Sequence, residues 1–362
     1  MVYKQLSYLP IIFQVDEGII LNIEKYLHRN KLQFHKVLVV SGSTYSYSHA
    51  VEVAQIGGWD LYILESNTHT DVEHLRRMAE TGRFDLILAI GGGKVLDTVK
   101  RVSYLSNINH ISIPTIISND GLISPIAVIQ NSSGKTESLP GMMPMGVVID
   151  LDIIRNSPVD YIRAASGDIL SNLSATNDWV IAQKENKENI NDIAFHLSKG
   201  AANSLVHFSG IDLHKKSFLR MVVQGQVNSG IAMSLAGTSR PCSGSEHLIS
   251  HALNYLELTE NVLHGVQVAS ISLFTLFLQN KLHSIHVEYA VATHVPLIFT
   301  DLIKREYCLK EIFFKALEMR PGRFTVLDHL TAEEFVEKVD DYTEYIGSHK
   351  KSNYKHLLMQ SE

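Results

Sequence analysis

The chain has 362 residues, of which 45% are hydrophobic and 19% are charged, and its formal net charge is -6 at pH 7. This length allows two domains of ordinary size, and the acidic balance argues against a surface that binds nucleic acid. Two cysteines, Cys242 and Cys308, do not form the framework of a disulfide-rich secreted protein. No apolar run reaches the ~18 residues of a membrane span, and residues 1–5 lack the pattern of a signal peptide. We therefore expect a cytoplasmic protein with no membrane span.

Short apolar runs alternate with amphipathic segments up to about residue 155. The runs predict buried strands and the amphipathic segments predict helices, of which 51–54, 72–78 and 95–102 are the clearest. Strands joined by helices imply right-handed crossovers, so we predict a Rossmann-like α/β fold: a parallel sheet with helices on both faces. The predicted strands are 36–40, 61–64, 86–90, 110–113 and 147–150, and a hairpin over 125–139 is predicted to extend the sheet.

Beyond residue 158 the strand patterns disappear. Ser157 as N-cap and Pro158 at the first helical position predict the start of a helix. Helical patterns then continue to the C-terminus, including 218–235, 266–278 and 335–345. The sequence therefore predicts two domains, an α/β domain over residues 1–155 and an all-α domain over residues 156–362.

A glycine-rich turn follows the predicted strand 86–90. The segment Gly91-Gly92-Gly93-Lys94-Val95-Leu96-Asp97 opens a helix. Glycines let backbone N–H groups approach a pyrophosphate closely, and a helix N-terminus adds partial positive charge. We interpret the turn as a phosphate cradle. A plain strand-to-helix turn is the alternative, because the spacing matches neither G-x-G-x-x-G nor G-x-x-x-x-G-K-[ST].

A polar loop over residues 114–125 follows the next predicted strand. Its small hydroxyl side chains can bond ribose or nicotinamide amide groups, and Asp120 could orient a substrate hydroxyl. Strand 36–40, by contrast, ends in Ser41-Gly42-Ser43-Thr44, with no carboxylate to repel the 2′-phosphate of NADP. The sequence therefore predicts a dinucleotide site that accepts both NAD and NADP.

Histidines are concentrated on one predicted helix of the second half. Ser243 and Glu246 stand in the S-x-x-E relation of a capping box, which predicts a helix that begins at Ser243. His247 and His251 lie four residues apart and therefore share one face of this helix. With 18 histidines in the chain, such a pair also arises by chance.

A third imidazole and a carboxylate complete a candidate metal site. His264 precedes Gly265 at the next break, and Asp168 follows Gly167 among apolar neighbours. Two imidazoles and one carboxylate are a common ligand set for a catalytic divalent ion with an open position. For Asp168 alone, a helix cap is the alternative interpretation.

These segments together resemble the superfamily of glycerol dehydrogenase, iron-containing alcohol dehydrogenase and dehydroquinate synthase, and within it most of all the glycerol-1-phosphate dehydrogenases. The resemblance covers roughly residues 35 to 280. It is carried by the segments Gly91–Lys94, Pro114–Gly121, Ser118–Pro125, Gly167–Asp168, Ala175–Trp179, Ser239–His247 and Leu263–Gly265.

The resemblance implies an α/β domain that binds NAD(P), an all-α domain that binds metal and substrate, and reduction of dihydroxyacetone phosphate to sn-glycerol 1-phosphate. By position, it implies Asp168, His247 and His264 as ligands of Zn²⁺, with Fe²⁺ or Ni²⁺ as alternatives. It implies Asp120, Asp168 and His251 as substrate contacts, and we expect the proton to be transferred through His251, Asp120 or bound water. The cofactor-lining residues would be Gly91, Gly92, Gly93, Lys94, Val95, Asp97, Thr115, Ile116, Ile117, Ser118, Ser124, Ile126 and Gln130.

Two further positions, Asn119 and Arg240, bear on how the substrate would be bound. Asn119 stands where the resemblance leads us to expect a histidine beside Asp120. Arg240, seven residues before His247, carries a guanidinium that could hold the substrate phosphate by paired charged hydrogen bonds. A structural salt bridge is the alternative for Arg240.

Other functions remain open at the level of sequence. A polyol or alcohol dehydrogenase on the same scaffold would not require a phosphate on its substrate. A carbocycle-forming synthase would need more basic residues around the metal, and a nucleotide-binding scaffold without catalysis would not need the ligand set. We expect a small phosphorylated ketone or polyol as the substrate, and a homo-oligomer.

Overall fold

The computed structural model describes the backbone of residues 9–359 and the side chains of residues 9–348; the segment 1–5 discussed above lies outside them. The chain forms two compact units. Unit 1 comprises Met1–Ala165 and Leu213–Ser239, and unit 2 comprises Ser166–Asp212 and Arg240–Glu362. Unit 1 therefore includes a segment, Leu213–Ser239, from the second half of the sequence. The predicted boundary between a cofactor-binding domain and a metal- and substrate-binding domain, at residues 155 and 156, stays a prediction.

Unit 1 is built on a six-stranded sheet in which every pairing is parallel. The strands along the chain are β1 (Ile12–Asp16), β2 (Val37–Gly42), β3 (Asp60–Leu64), β4 (Leu86–Gly91), β5 (Asn109–Pro114), β6 (Ile126–Gln130), β7 (Thr136–Pro140) and β8 (Gly146–Asp150). Their order in the sheet is β1-β8-β5-β4-β2-β3. Strands β4 and β8 are buried along their whole length, as expected when helices cover both faces. The predicted α/β fold is confirmed.

The described helices are distributed over both units. They are α1 (Ile23–Arg29), α2 (Tyr47–Gly57), α3 (His69–Thr81), α4 (Gly93–Ser106), α5 (Leu151–Arg155), α6 (Val159–Lys184), α7 (Asp192–Val206), α8 (Lys216–Ala236), α9 (Ser245–Tyr255), α10 (His264–Leu278), α11 (Ser284–Ala292), α12 (Leu309–Glu318) and α13 (Ala332–Met359). In the described part of unit 2 the regular elements are all helical, as predicted. None of the helices that the structure describes is long and apolar enough to span a bilayer.

The hairpin was predicted correctly, but its attachment to the main sheet was wrong. Strands β6 and β7 form a separate two-stranded antiparallel sheet. Polar groups of the segment after β3 hold this hairpin: the backbone N–H of Gln130 donates to the carbonyl of Asn67 at 3.0 Å, and the Asn67 amide donates to the carbonyl of Val128 at 3.0 Å. The main sheet therefore keeps β3 as its edge.

Helix α6 begins at Val159, not at Pro158. The hydroxyl of Ser157 donates to the carbonyl of Ile154 at 2.7 Å and so closes the end of α5, while its predicted role as N-cap of α6 stays a prediction. In unit 2, α6 passes very close to α10. A Cβ on Gly167 would lie 2.5 Å from the carbonyl oxygen of Gly265 and 2.8 Å from the Cβ of Ala269. Only glycine allows this approach of the two backbones.

We predict that Gly167→Ala lowers the free energy of unfolding by about 1–3 kcal/mol, because the added methyl group must force α6 away from α10. Gly200→Ala is the matched control. Gly200 also lies in a helix of unit 2, but a Cβ there would meet no described atom within 4 Å. This control should raise stability by about 0.4–1 kcal/mol. Urea unfolding of the metal-free proteins measures both effects, and an equal response of the two variants would contradict the argument.

Candidate functional site

The glycine turn joins β4 to α4 in unit 1. Gly91 ends β4, Gly92 is the N-cap residue, and α4 begins at Gly93. A Cβ on Gly91 would lie 2.7 Å from a methyl group of Val95, whereas a Cβ on Gly93 would meet no described atom within 4 Å. The first glycine is therefore needed for packing, and the first turn of α4 remains open to a ligand. Backbone N–H groups at such a helix start suit a pyrophosphate.

The loop after β5 lies beside this turn. Gly91 pairs with Pro114 in the sheet register, and the N–H of Thr115 donates to the carbonyl of Gly91 at 3.0 Å. The side chain of Ile116 lies 3.2 Å from the position that a Cβ on Gly92 would occupy. The structure therefore brings together the glycine segment and the start of the 115–118 segment, which were predicted to line one cofactor site. Their role in binding stays a prediction.

Asp120 begins a short 3₁₀ turn in the same loop. The side chain of Asn119 accepts a hydrogen bond from the N–H of Gly121 at 2.9 Å, and the N–H of Ser124 donates to the carbonyl of Asp120 at 3.0 Å. Asn119, where a histidine was expected, thus fixes the backbone of the turn. Helix α8 packs against this loop. The close approach requires glycine at position 230, because a side chain there would collide with Ile123.

A buried lysine connects the predicted cofactor and substrate residues of unit 1. The Lys100 side chain is 0% exposed, and its ammonium lies 2.7 Å from the carboxylate of Asp97 and donates to the carbonyl of Ile126. Burial raises the pKa of Asp97, and the charge of Lys100 opposes this shift. Burial raises the pKa of Asp120 to about 6, and Lys100 lowers it while Asp97 raises it. Sequence reasoning missed Lys100; its only signal is a lysine three residues after Asp97 on a predicted helix.

The three predicted metal ligands lie together in unit 2. Asp168 is on α6, His247 is on α9, and His264 is the first residue of α10. One ligand atom of each residue lies within 4.8 Å of the other two. The side chains of Asp168 and His247 are almost fully buried, and His264 is partly exposed.

The histidines of this cluster are neutral at physiological pH. Burial lowers the pKa of His247 to about 3, with further lowering by Arg320 and Arg323. Burial also lowers the pKa of His264 to about 3 and shifts that of His251 well below its usual value. Because a neutral imidazole keeps a lone pair for a metal, this donor set fits a divalent ion such as Zn²⁺.

Glu246 determines which ring nitrogen of His247 carries the proton. Its Oε1 accepts a hydrogen bond from the N–H of Gly244 at 2.6 Å and lies 2.8 Å from His247 Nδ1. Since Oε1 is an acceptor, Nδ1 carries the proton and Nε2 keeps the lone pair, a common arrangement behind metal ligands. The predicted capping box was wrong: α9 begins at Ser245 with Gly244 as N-cap, and Glu246 does not pair with the side chain of Ser243.

His251 lies beside the candidate metal ligands without joining the set. Its ring centroid is 6.2 Å from the ring centroids of His247 and His264. Its Nε2 lies 3.4 Å from a guanidinium nitrogen of Arg320. Arg320, which sequence reasoning did not single out, therefore belongs to the same cluster of unit 2.

Arg240 forms a buried salt bridge and hydrogen bonds within unit 2. It is 1% exposed, its Nε lies 3.0 Å from a carboxylate oxygen of Glu188, and its Nη2 donates to the carbonyls of Asp178 and Phe324. These contacts favour the salt-bridge interpretation. A role of Arg240 in phosphate binding stays a prediction.

The parallel sheet of unit 1 and the helical unit 2 form the fold of the iron-containing alcohol dehydrogenases. The model of that family, described as iron-containing alcohol dehydrogenase, matches residues 14–158. The iron-containing alcohol dehydrogenase from Thermococcus thioreducens superposes with a TM-score of 0.68 at 14% identity, over 93% of this chain and 99% of that one.

Comparison with curated relatives identifies one family within this class. The glycerol-1-phosphate dehydrogenase (NAD(P)+) of Archaeoglobus fulgidus is 34% identical over 289 residues, which cover 76% of this chain and 81% of the relative. The enzyme of the same name from Methanobrevibacter smithii is 33% identical over 81% of this chain and 85% of its own length. The chain therefore belongs to the glycerol-1-phosphate dehydrogenase family, a family of oxidoreductases.

We predict that His247→Ala loses bound Zn²⁺, because removing a ligand should weaken binding by more than the about 10- to 100-fold typical of changes to a ligand's supporting residues. Metal content after dialysis measures this. His251→Ala is the matched control, because it removes an imidazole from the same helix face but should keep the metal while losing turnover. Full zinc occupancy in His247→Ala would contradict the assignment.

We predict that Lys100→Met moves the pH-rate limb that reports Asp120 upward by about one pH unit, because loss of a nearby opposite charge disfavours the carboxylate. Asp97→Asn removes a like charge and should move the same limb downward. The pH profile of kcat/KM measures both shifts, with circular dichroism as the check on folding. Shifts of the same sign in the two variants would show that Asp120 is not the titrating group.

Proposed function

We propose that this chain catalyses the NAD(P)H-dependent reduction of dihydroxyacetone phosphate to sn-glycerol 1-phosphate. Membership of the glycerol-1-phosphate dehydrogenase family supports the reaction. The observation that carries it at the level of residues is the cluster of Asp168, His247 and His264, whose ligand atoms lie within 4.8 Å of one another. We propose these three residues as the ligands of Zn²⁺, with Fe²⁺ or Ni²⁺ as alternatives.

A divalent metal, when bound, acts as a Lewis acid that polarises a carbonyl group toward hydride attack. The chain's own residues prepare its site: the buried carboxylate of Asp168 supplies charge, and the low pKa values of His247 and His264 keep both imidazoles neutral. Glu246 holds the proton of His247 on Nδ1, so that Nε2 would keep its lone pair for the metal. Burial of these groups excludes water and strengthens their electrostatic effect.

The oxygen at C2 of the substrate takes up a proton as the ketone becomes an alcohol. We assign this transfer to His251 and Asp120. Asp120, with a pKa of about 6, can exchange a proton near neutral pH. His251 is held in its neutral form by burial and by Arg320, so it can relay a proton between its two ring nitrogens without storing charge.

In unit 1, the N-terminus of α4 would bind the pyrophosphate of the dinucleotide. The segments that follow β5 and lead into β6 would line its nicotinamide half. Ser41, at the end of β2, is buried, and its hydroxyl donates to Ser46 at 2.9 Å, so it adds no charge near the adenosine. Glu65, the first acidic residue after β3, is exposed. We therefore propose that NADH and NADPH are both used. A homo-oligomeric state and a cytoplasmic location stay predictions.

We predict that the zinc-loaded protein oxidises NADH and NADPH with dihydroxyacetone phosphate, with kcat/KM values for the two cofactors within about tenfold, or about 1.4 kcal/mol. Parallel assays use dihydroxyacetone and hydroxyacetone as substrates. The product should not be oxidised by an sn-glycerol-3-phosphate dehydrogenase. Equal rates with phosphorylated and unphosphorylated ketones would favour a polyol dehydrogenase, and a thousandfold rejection of NADPH would contradict the proposed adenosine site.

A further inference from the structure

The chain after α12 forms a turn that carries two arginines. In Arg320-Pro321-Gly322-Arg323, the N–H of Arg323 donates to the carbonyl of Arg320 at 3.1 Å, and Gly322 has a φ of +82°. Proline at the second position and a glycine of positive φ at the third are the signature of a type II β-turn. Because α12 packs against α9, the turn is held close to the helix that carries His247 and His251.

Arg320 is the cation that most affects the histidines of the cluster. Its Nη2 lies 3.4 Å from His251 Nε2. Its charge also lowers the pKa values of His247 and His264. Arg320 as a whole is partly exposed.

The neighbouring arginines, Arg240 and Arg323, make contacts that stabilise the local structure. Arg240 is buried in its contacts with Glu188 and two backbone carbonyls, and Arg323 donates to the carbonyl of Ser243. Burial and the charges of Arg320 and Arg240 lower the pKa of Arg323 to about 9, although Glu188 and Glu246 oppose this. Like charges this close repel one another, so an anionic ligand beside them is stabilised.

We propose that Arg320 binds the phosphate group of the substrate beside His251, an inference that rests on the function proposed above. In dihydroxyacetone phosphate, only a methylene and the ester oxygen separate the phosphorus from the carbonyl carbon. A group next to His251, the proposed substrate contact, is therefore within reach of the phosphate. The planar guanidinium can donate two parallel hydrogen bonds to phosphate oxygens, which a lysine cannot reproduce. Arg320 thus determines specificity for phosphorylated ketones.

Three variants of the zinc-loaded enzyme test this role: Arg320→Gln, Arg320→Lys and the matched control Arg305→Gln. Arg305 is an exposed arginine of the same unit that pairs with Glu260 at 3.0 Å. Arg320→Gln should lower kcat/KM for dihydroxyacetone phosphate by about 10- to 100-fold, the range for a lost charged hydrogen bond. Its kcat/KM for dihydroxyacetone, which has no phosphate, should fall by a smaller factor than that for dihydroxyacetone phosphate, and Arg320→Lys should lie between. The Arg305→Gln control should match the wild type with both ketones.

A second measurement does not depend on turnover. Calorimetric titration of inorganic phosphate into the zinc-loaded wild type should give binding that Arg320→Gln weakens about tenfold or more and Arg305→Gln does not. An equal loss with both ketones, or phosphate binding unchanged in Arg320→Gln, would overturn the proposal. If the wild type bound phosphate through Arg320 but reduced no ketone, the proposed function would fail and the phosphate site would stand.

Discussion

The backbone contact between Gly167 and Gly265 sets the geometry of the candidate metal site. Asp168 follows one of these glycines and His264 precedes the other, so the separation of α6 and α10 fixes the distance between a carboxylate and an imidazole. Metal–ligand distances tolerate deviations of only about 0.2 Å. A Cβ on Gly167 would lie 2.5 Å from the carbonyl oxygen of Gly265, so a side chain there would push α6 and α10 apart.

The third candidate ligand, His247, depends on a buried polar network at the start of α9. Asp178 accepts hydrogen bonds from the N–H groups of Ser245 at 2.6 Å and Val326 at 2.9 Å, and a Cβ on Gly244 would lie 2.5 Å from its carboxylate. Burial and the charge of Glu246 raise the pKa of Asp178 to about 6. Because the folded state holds this proton more tightly than the unfolded state, the stability contribution is largest at low pH and is lost as pH rises from about 4 to about 6. The network thus costs stability at neutral pH while it fixes the position of His247.

Much of this architecture could be predicted from local patterns. Buried parallel strands have continuous apolar runs, so their positions and the α/β fold follow from the sequence. The glycine turn after β4 can also be recognised in the sequence. The same holds for the residues of the candidate metal cluster, because each lies next to a glycine or a helix break. The capping box at Ser243 failed for a local reason: the helix begins at Ser245 with Gly244 as N-cap, and the carboxylate of Glu246 bonds to its near neighbours in sequence, Gly244 and His247. The hairpin was misplaced because the partner of Gln130 is Asn67, 63 positions earlier in the numbering.

Charged residues that act over long sequence separations could not be found in this way. Arg240 attracted attention because it is near His247 in sequence, but Arg320 is the arginine beside His251, and it arrives there through the packing of α12 on α9. The charges around the candidate metal site explain why an arginine beside His251 would help to bind a phosphate. Two neutral imidazoles and one carboxylate leave a bound divalent ion with a net positive charge, and a guanidinium beside it adds another. A carbonyl oxygen alone needs only the metal, whereas a phosphate that carries up to two negative charges is best stabilised where both cations lie close together.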